Sequence, residues 1–339
     1  MAEVRVKIFS RDLQKNLFPD NAFYKKSKID PASNANSIDI PQAQSQASAK
    51  IGNVQISYDT AGNNLNDADK LTAIKRINTL LNYINQNFFI PPVIIDKNNQ
   101  DGELSYAKQV EIREEFSDEL NTQVANYSAV KWGPTVASNI LKTTGTATRT
   151  SLVVGGYNGL VKRITKQDLL NLAKAAKKQQ KMGGRWYILP TVEQWEDIML
   201  IPDFVDFEKT GNETMLKKGI IGTWLGFQWF EPRQNDSLEA NIIYDTTTPS
   251  APTKVDYAGA VDGDGRTIFS VTPTVNSVSA LLAWNDKMVR RSEGKVNVYF
   301  RANDPEFQAD ILSSSLRFGA SFGRSDNKGV LALVETRTV

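Results

Sequence analysis

The stretch from Leu104 to Trp132 constrains the fold more than any other part of the chain. Ile112, Phe116, Leu120, Val124 and Tyr127 recur at intervals of four, four, four and three residues, which predicts one face of an α-helix. Ser105 can cap its start, and Gly133-Pro134 ends it. Glu111, Glu114, Glu115, Asp118 and Glu119 cover the opposite face as a solvated side. At ~1.5 Å per residue such a helix runs roughly 40 Å, against a mean helix length of ~11–12 residues. It is a structural beam.

The segments before the beam look different. A short amphipathic piece (Val6, Phe9, Leu13, Leu17) leads into "KKSKIDPASNANSIDIPQAQSQASAK", which is poor in large apolar residues. That composition cannot offset the entropy of ordering, so the first 49 residues are expected to be an extended arm or disordered. Residues 50–95 alternate at Val54, Ile56 and Tyr58, turn at 62–64, and continue into "LLNYINQNFFIPPVII". This predicts two strands joined by a loop rich in Asn and Asp. Their apolar side chains need a partner surface, and a monomer does not supply one. Ile56, Tyr58, Leu81, Tyr83 and Phe88 are therefore the candidate assembly residues, and Ile51–Phe89 should be replaceable by a linker without loss of the fold.

Beyond the beam, Leu169, Leu172, Ala173 and Ala176 predict a second helix after Thr165, stopped by Gly183-Gly184. Lys174, Lys177, Lys178 and Lys181 near its end suit the helix dipole. "RWYIL" (185–189) predicts a strand that Pro190 breaks, and Thr191-x-x-Gln194 is a capping box opening a short helix with Trp195, Ile198 and Met199. "GIIGTWLGFQWF" (219–230) predicts closely packed strands. After a Thr/Pro/Asp-rich loop (245–267), "SALLAWNDKMV" predicts a short helix. Strands are expected around Val296–Phe300 and Arg317–Ser321, with Ser325-Asp326-Asn327 in a hairpin turn before "GVLALVE".

Several chemical motifs occur, and each fails. Gly319-Ala320-Ser321-Phe322-Gly323 fits the G-x-S-x-G elbow of serine hydrolases. The chain has no histidine, so no imidazole base exists for Ser321. Ser105-Tyr106-Ala107-Lys108, Ser325-Asp326-Asn327 and Lys209-Thr210-Gly211 match the three motifs of penicillin-recognising serine enzymes, but the last two stand in the wrong order. Without His or Cys there is no zinc or iron–sulfur ligand set. Asp262-Gly263-Asp264-Gly265 and Asp96 to Gly102 resemble pieces of calcium loops. Alignment on Gly102 puts Lys97 and Lys108 at ligand positions, which disqualifies it. No phosphate-binding loop is present. The expectation is no enzyme, no cofactor and no metal.

With 339 residues the chain is long enough for a large core, and 40 basic against 38 acidic residues leave a net charge of +2. That balance marks no dedicated nucleic-acid or membrane surface. The absence of cysteine suits a reducing compartment, and no signal peptide or membrane-spanning run is evident.

An ordered series of motifs resembles the major capsid proteins of tailed bacteriophages, the Hong Kong 97-like α+β fold. "GRWYILPTVEQW" (184–195) is similar to that family's strand–Pro–helix element, and "KGIIGTWLGFQWF" (218–230) to its glycine-punctuated strand pair. "LLAWNDKMV" (281–289) resembles its Ala-Trp helix. "LRFGASFGRSDNKGVLALVE" (316–335) resembles its closing segment. The resemblance implies residues 1–49 as an N-terminal arm, 50–95 as an extended β loop and 96–160 as a peripheral domain with the spine helix. Residues 161–280 would be an axial domain, and 281–339 a return to the peripheral domain.

The implied function is a shell protein forming hexamers and pentamers of an icosahedral head around double-stranded DNA held by non-specific contacts. It would be found in the virion and assembled in the host bacterial cytoplasm. A portal and a separate scaffolding protein are implied partners, the arm being too short to carry a fused scaffold; no membrane is implied. The alternatives are an encapsulin-type bacterial compartment and, in a different class, a serine acyl-enzyme.

Overall fold

The computed structural model describes residues 22–30, 37–43, 76–96, 104–151, 153, 155–179, 183–202, 204, 220–230, 242–261, 267–304, 306, 309–324 and 326–338. Strands β1 (Lys28–Ile29), β2 (Ser37–Ala43), β3 (Arg76–Ile84) and β4 (Gln86–Asp96) precede helix α1 (Leu104–Trp132). Then follow β5 (Ile140–Lys142), β6 (Thr148–Thr150), β7 (Leu160–Lys162), helix α2 (Lys166–Gln179), β8 (Trp186–Leu189) and helix α3 (Val192–Met199). Next come β9 (Ile220–Trp224), β10 (Phe227–Phe230), β11 (Ile242–Asp245), β12 (Thr253–Lys254), β13 (Ala258–Val261) and β14 (Thr267–Ser270). The last four are β15 (Ser277–Asn285), β16 (Val289–Asp304), β17 (Ala309–Phe322) and β18 (Val330–Val334).

An eight-stranded mixed sheet forms the centre, with β15 flanked by β18 on one side and by β11 and β8 on the other. Every residue of β15 is buried. Val278, Ala280, Leu282 and Trp284 face the core that holds α1, whereas Leu281 and Ala283 face the core that holds α2. β18 divides the same way, with Val330, Ala332 and Val334 on the α1 side and Leu331 and Leu333 on the other. A strand covered on both faces reads as a near-continuous apolar run, here Ala280–Trp284. This corrects the helix expected at 281–289. An unbroken apolar run carries no period-2 signal, and periodicity alone cannot separate such a strand from a buried helix.

Two of the expected domain boundaries run through strands. A cut at 280/281 falls inside β15, and one at 160/161 falls inside β7. Residues 330–334 pair with β15 and β5, so this part of the returning segment joins the same sheet as β8 and β10.

A second sheet has the order β1-β16-β17-β4 and lies against α1. β4 is its edge, and the register slips between Leu312 and Ser314, opposite Pro91-Pro92. Proline has no N–H to give the ladder, so it is tolerated at an edge with a bulge. Gln86–Phe89 pair with β17 from Phe318 to Ser315, so a linker replacing Ile51–Phe89 would cut into this sheet.

The N-terminal residues supply an unexpected anchor. Phe23 and Tyr24 are fully buried, with the Phe23 ring 6.0 Å from Trp132 and 5.8 Å from Trp284. Arg291 donates to the Lys25 and Ser27 carbonyls at 3.0 and 2.7 Å, and Trp284 Nε1 donates to Lys26 O at 2.9 Å. This part of the expected arm is core. Two apolar residues in a polar stretch give too weak a pattern to reveal an anchor.

The helix starts hold one confirmation and one correction. Thr191 and Gln194 form the capping box of α3, each side chain meeting the other's backbone N–H at 3.2 Å. α1 opens at Leu104, which puts Ser105 inside its first turn rather than at the cap.

Candidate assembly surfaces

The core face of α1 is one continuous contact. Phe116, Leu120, Val124 and Tyr127 are buried, and Ile112 packs half-buried against the same cluster. Glu114, Glu115, Asp118 and Glu119 on the other side are exposed. Burial, with the Asp256 charge adding to it, pushes the Tyr127 hydroxyl well above the ordinary tyrosine range. At the helix end, Lys254 Nζ donates to Val130 O at 3.0 Å, satisfying one of the carbonyls that a helix terminus leaves open.

β2 and β3 make an antiparallel pair, with Ile38 opposite Tyr83 and Ile40 opposite Leu81. Neither strand hydrogen-bonds to another sheet among the described residues. Tyr83 and Leu81 therefore lie on a two-stranded ribbon, a unit marginally stable by itself in water. Ile56 and Tyr58 lie outside the described residues. Phe88 does not stand with the ribbon. Its ring is 5.4 Å from Tyr127 and 6.3 Å from Phe318, inside the chain's own core. Its place in β4, against β17, explains why the same alternation carries it inward.

A second ribbon, β13–β14, pairs Ala258 with Ser270 through Val261 with Thr267. All eight of its strand residues are exposed, including Val261, Ile268 and Phe269. Sequence patterning missed it: β13 lies inside the expected loop at 245–267, and β14 starts at its last residue.

Ser321 lies within β17 opposite Arg290 and is buried. The chain leaves that strand towards β18 rather than entering a helix, so the strand-to-helix elbow that would present a nucleophile is not formed. Asp326 and Asn327 stand in the same connection. It joins strands of two different sheets, which corrects the expected hairpin turn. Arg324 holds the Asp326 carboxyl down at about 2 through a hydrogen bond of 2.8 Å. Lys209, Thr210 and Gly211 lie outside the described residues. Among the described residues no group of three or more acidic side chains is placed to hold a metal ion, and no helix is long and apolar enough to cross a membrane.

One ionic junction has no sequence signal. Arg149 donates to Asp197 Oδ2 at 3.1 Å and pairs with Glu335, which also accepts from Gln194 Nε2 at 3.0 Å. The partners come from β6, α3 and the end of β18, up to 186 positions apart. Glu335 is buried, and burial raises its carboxyl to about 7 against the opposing pull of Arg149. The junction ties the sheet to α3.

No protein-family model and no curated protein matches the chain. Solved structures do. The capsid of Ralstonia phage GP4 aligns at a TM-score of 0.51 and 10% identity, over 94% of this chain and 92% of that one. The capsid of an empty GTA particle aligns at a TM-score of 0.51 and 8% identity, over 95% of this chain and 98% of that one. Likeness across nearly the whole of both chains with so few shared residues resides in the arrangement of elements. The chain has the α+β capsid fold of the Hong Kong 97 type.

Proposed function

We propose that this chain is the major capsid protein of a tailed bacteriophage, assembling through hexamers and pentamers into an icosahedral head around double-stranded DNA. The observation that carries the reading is a capsid fold matched over almost the whole chain. The β2–β3 and β13–β14 ribbons, whose strands pair with no other strand among the described residues, add support, because such elements gain stability when laid on neighbours. In this reading the β2–β3 ribbon belongs to the extended loop, α1 is the peripheral spine and the eight-stranded sheet is the axial body. Residues 1–49 form the arm, now anchored at Phe23 and Tyr24. The mechanism is burial of area between copies, in the range of permanent interfaces. Non-specific contacts suffice for the DNA. The shell forms in the host bacterial cytoplasm, with a portal and a separate scaffolding protein as partners.

Electron microscopy of the purified protein tests this directly, with closed shells expected and nuclease-protected DNA in particles from infected cells. Shells that hold protein cargo and no DNA would instead indicate an encapsulin-type compartment. Replacing residues 51–84 with a short Gly/Ser linker spares β4. That variant is expected to keep the circular dichroism spectrum of the folded chain and to lose closed shells. Shells from the linker variant would remove the loop from the assembly mechanism.

A further inference from the structure

One end of the central sheet gathers positive charge that the sequence spreads over separate segments. The start of β8, the end of β15 and the start of β18 lie side by side there, with Asn285 opposite Trp186 and Trp284 opposite Val330. The end of α2 is tied to the same place. Gly329 N–H donates to Gln179 Oε1 at 2.7 Å, and Asn285 Nδ2 donates to Gly183 O at 2.8 Å. Lys177, Lys178, Arg185, Lys287 and Lys328 are exposed around this junction, and Lys174 is exposed one turn back along α2. Among the described residues of 174–179, 183–187, 285–288 and 324–329 the only carboxylates are Asp286 and Asp326, and both are engaged. Asp286 accepts from the Arg185 N–H at 3.1 Å, and Asp326 pairs with Arg324 and Lys328. Lys174, Lys177, Lys178 and Lys287 have no carboxylate partner among the described residues.

The helix dipole accounts for Lys177 and Lys178, which stand in the last turn of α2. It does not account for Lys174, before that turn, or for Lys287, on a different element. We propose that this end of the central sheet holds the phosphate backbone of duplex DNA, without regard to sequence. A small anion would meet one or two of these lysines. A duplex, with one negative charge per ~1.7 Å of its axis, can lie along the face of α2 and the 285–287 turn together. The side chains that could read base edges are otherwise engaged: Gln179 and Asn285 bond to backbone, and Arg324 forks onto Asp326. What remains is lysine, a flexible point charge. The chain's net charge of +2 hides the patch, because its members come from distant segments. The inference rests on the reading that the shell encloses DNA, and it names the surface that meets it.

Fluorescence anisotropy of a labelled random-sequence duplex, titrated with the purified protein, tests this. Binding is expected to weaken steeply between about 50 and 200 mM salt and to be equal for unrelated sequences. Lys174→Gln, Lys178→Gln and Lys287→Gln together should weaken it several-fold and lower the salt slope by about 0.9 for each lysine removed. Arginine at the same three positions keeps the charge and should keep the binding. All three side chains are exposed, so circular dichroism melts should match wild type and separate lost binding from lost fold. Lys295→Gln, an exposed lysine of β16 in the other sheet, should change nothing. Wild-type affinity and slope in the triple variant overturn the patch, and closed shells from the same protein leave the shell reading standing. Stronger displacement by polyglutamate than by unlabelled duplex would assign the surface to an acidic protein, which also overturns it. Binding through these lysines by a chain that forms no shells would support the surface and remove the shell reading.

Discussion

The central eight-stranded sheet and the β13–β14 ribbon are built from the same kind of strand and have opposite fates. β15 buries all nine residues between two cores, and Trp284 within it contacts Phe23, Trp132, Tyr187 and Phe230 at 5.7 to 5.9 Å. The ribbon buries none of its eight. A buried strand derives its stability from its own chain. An exposed apolar ribbon derives little from it and has its surface left for another molecule.

Placing the same change in the core that one face of the sheet lines, and on the ribbon, breaks or confirms this contrast, and it carries the largest expected effect. Phe116→Asp puts a carboxylate on the buried face of α1, where an unpaired charge costs several kcal/mol out of a total of ~5–15. Insoluble or unfolded protein is expected. Phe269→Asp changes a side chain that is 44% exposed, and the chain should remain folded with a melting temperature close to wild type. Glu115→Gln, on the exposed side of α1, serves as the helix control. Circular dichroism melts read all three. A stable Phe116→Asp protein would mean that the helical register is wrong.

A smaller effect comes from the ionic junction that fastens α3 to the sheet. The Glu335 carboxyl is raised from 4.5 to about 7 by burial, so the folded chain holds a proton that the unfolded chain has released. Stability from this group is therefore fully present below about pH 4.5 and declines as pH rises to about 7, after which it is flat. The loss is at most on the order of 3 kcal/mol, taking ~1.4 kcal/mol per unit. Glu335→Gln keeps a carbonyl oxygen for Arg149 and Gln194 and does not titrate. Denaturant midpoints measured from pH 4.5 to 8 should fall for wild type and stay flatter for the variant. Parallel curves would show that Glu335 is ionised throughout.

What the sequence made legible follows the same division. α1 was readable because one face is apolar and the other acidic, and the capping box of α3 was readable because it is a local signature. β15 was misjudged as a helix because burial on both faces erased its alternation. Phe88 was grouped with the ribbon because alternation cannot say which sheet a strand will join, and the pairing of β4 with β17 decided that. The Arg149–Glu335 pair spans 186 positions and leaves no local trace. The β13–β14 ribbon was hidden in a loop by its short strands of four residues and its glycines. Short-range patterns report one element at a time. Long-range pairing decides which of those elements are core and which are left outside.

The smallest effect is expected at the residue with the most suggestive motif. Ser321 carries the only G-x-S-x-G match, yet it sits in β17 opposite Arg290, on a strand that continues to Phe322 and then leads to β18. Its neighbours Gly319 and Ala320 pair with Ser292 and Arg291 in the β16–β17 ladder, and both are buried. A nucleophile at this position would need a base, and the chain contains no histidine to act as one. Ser321→Ala removes one hydroxyl from a strand and should change stability by no more than ~1 kcal/mol. Shell formation should be unaltered by electron microscopy. A fluorophosphonate probe should label neither protein. Labelling of wild type that disappears in Ser321→Ala would make the serine reactive and overturn the reading of this segment as a buried part of the strand ladder.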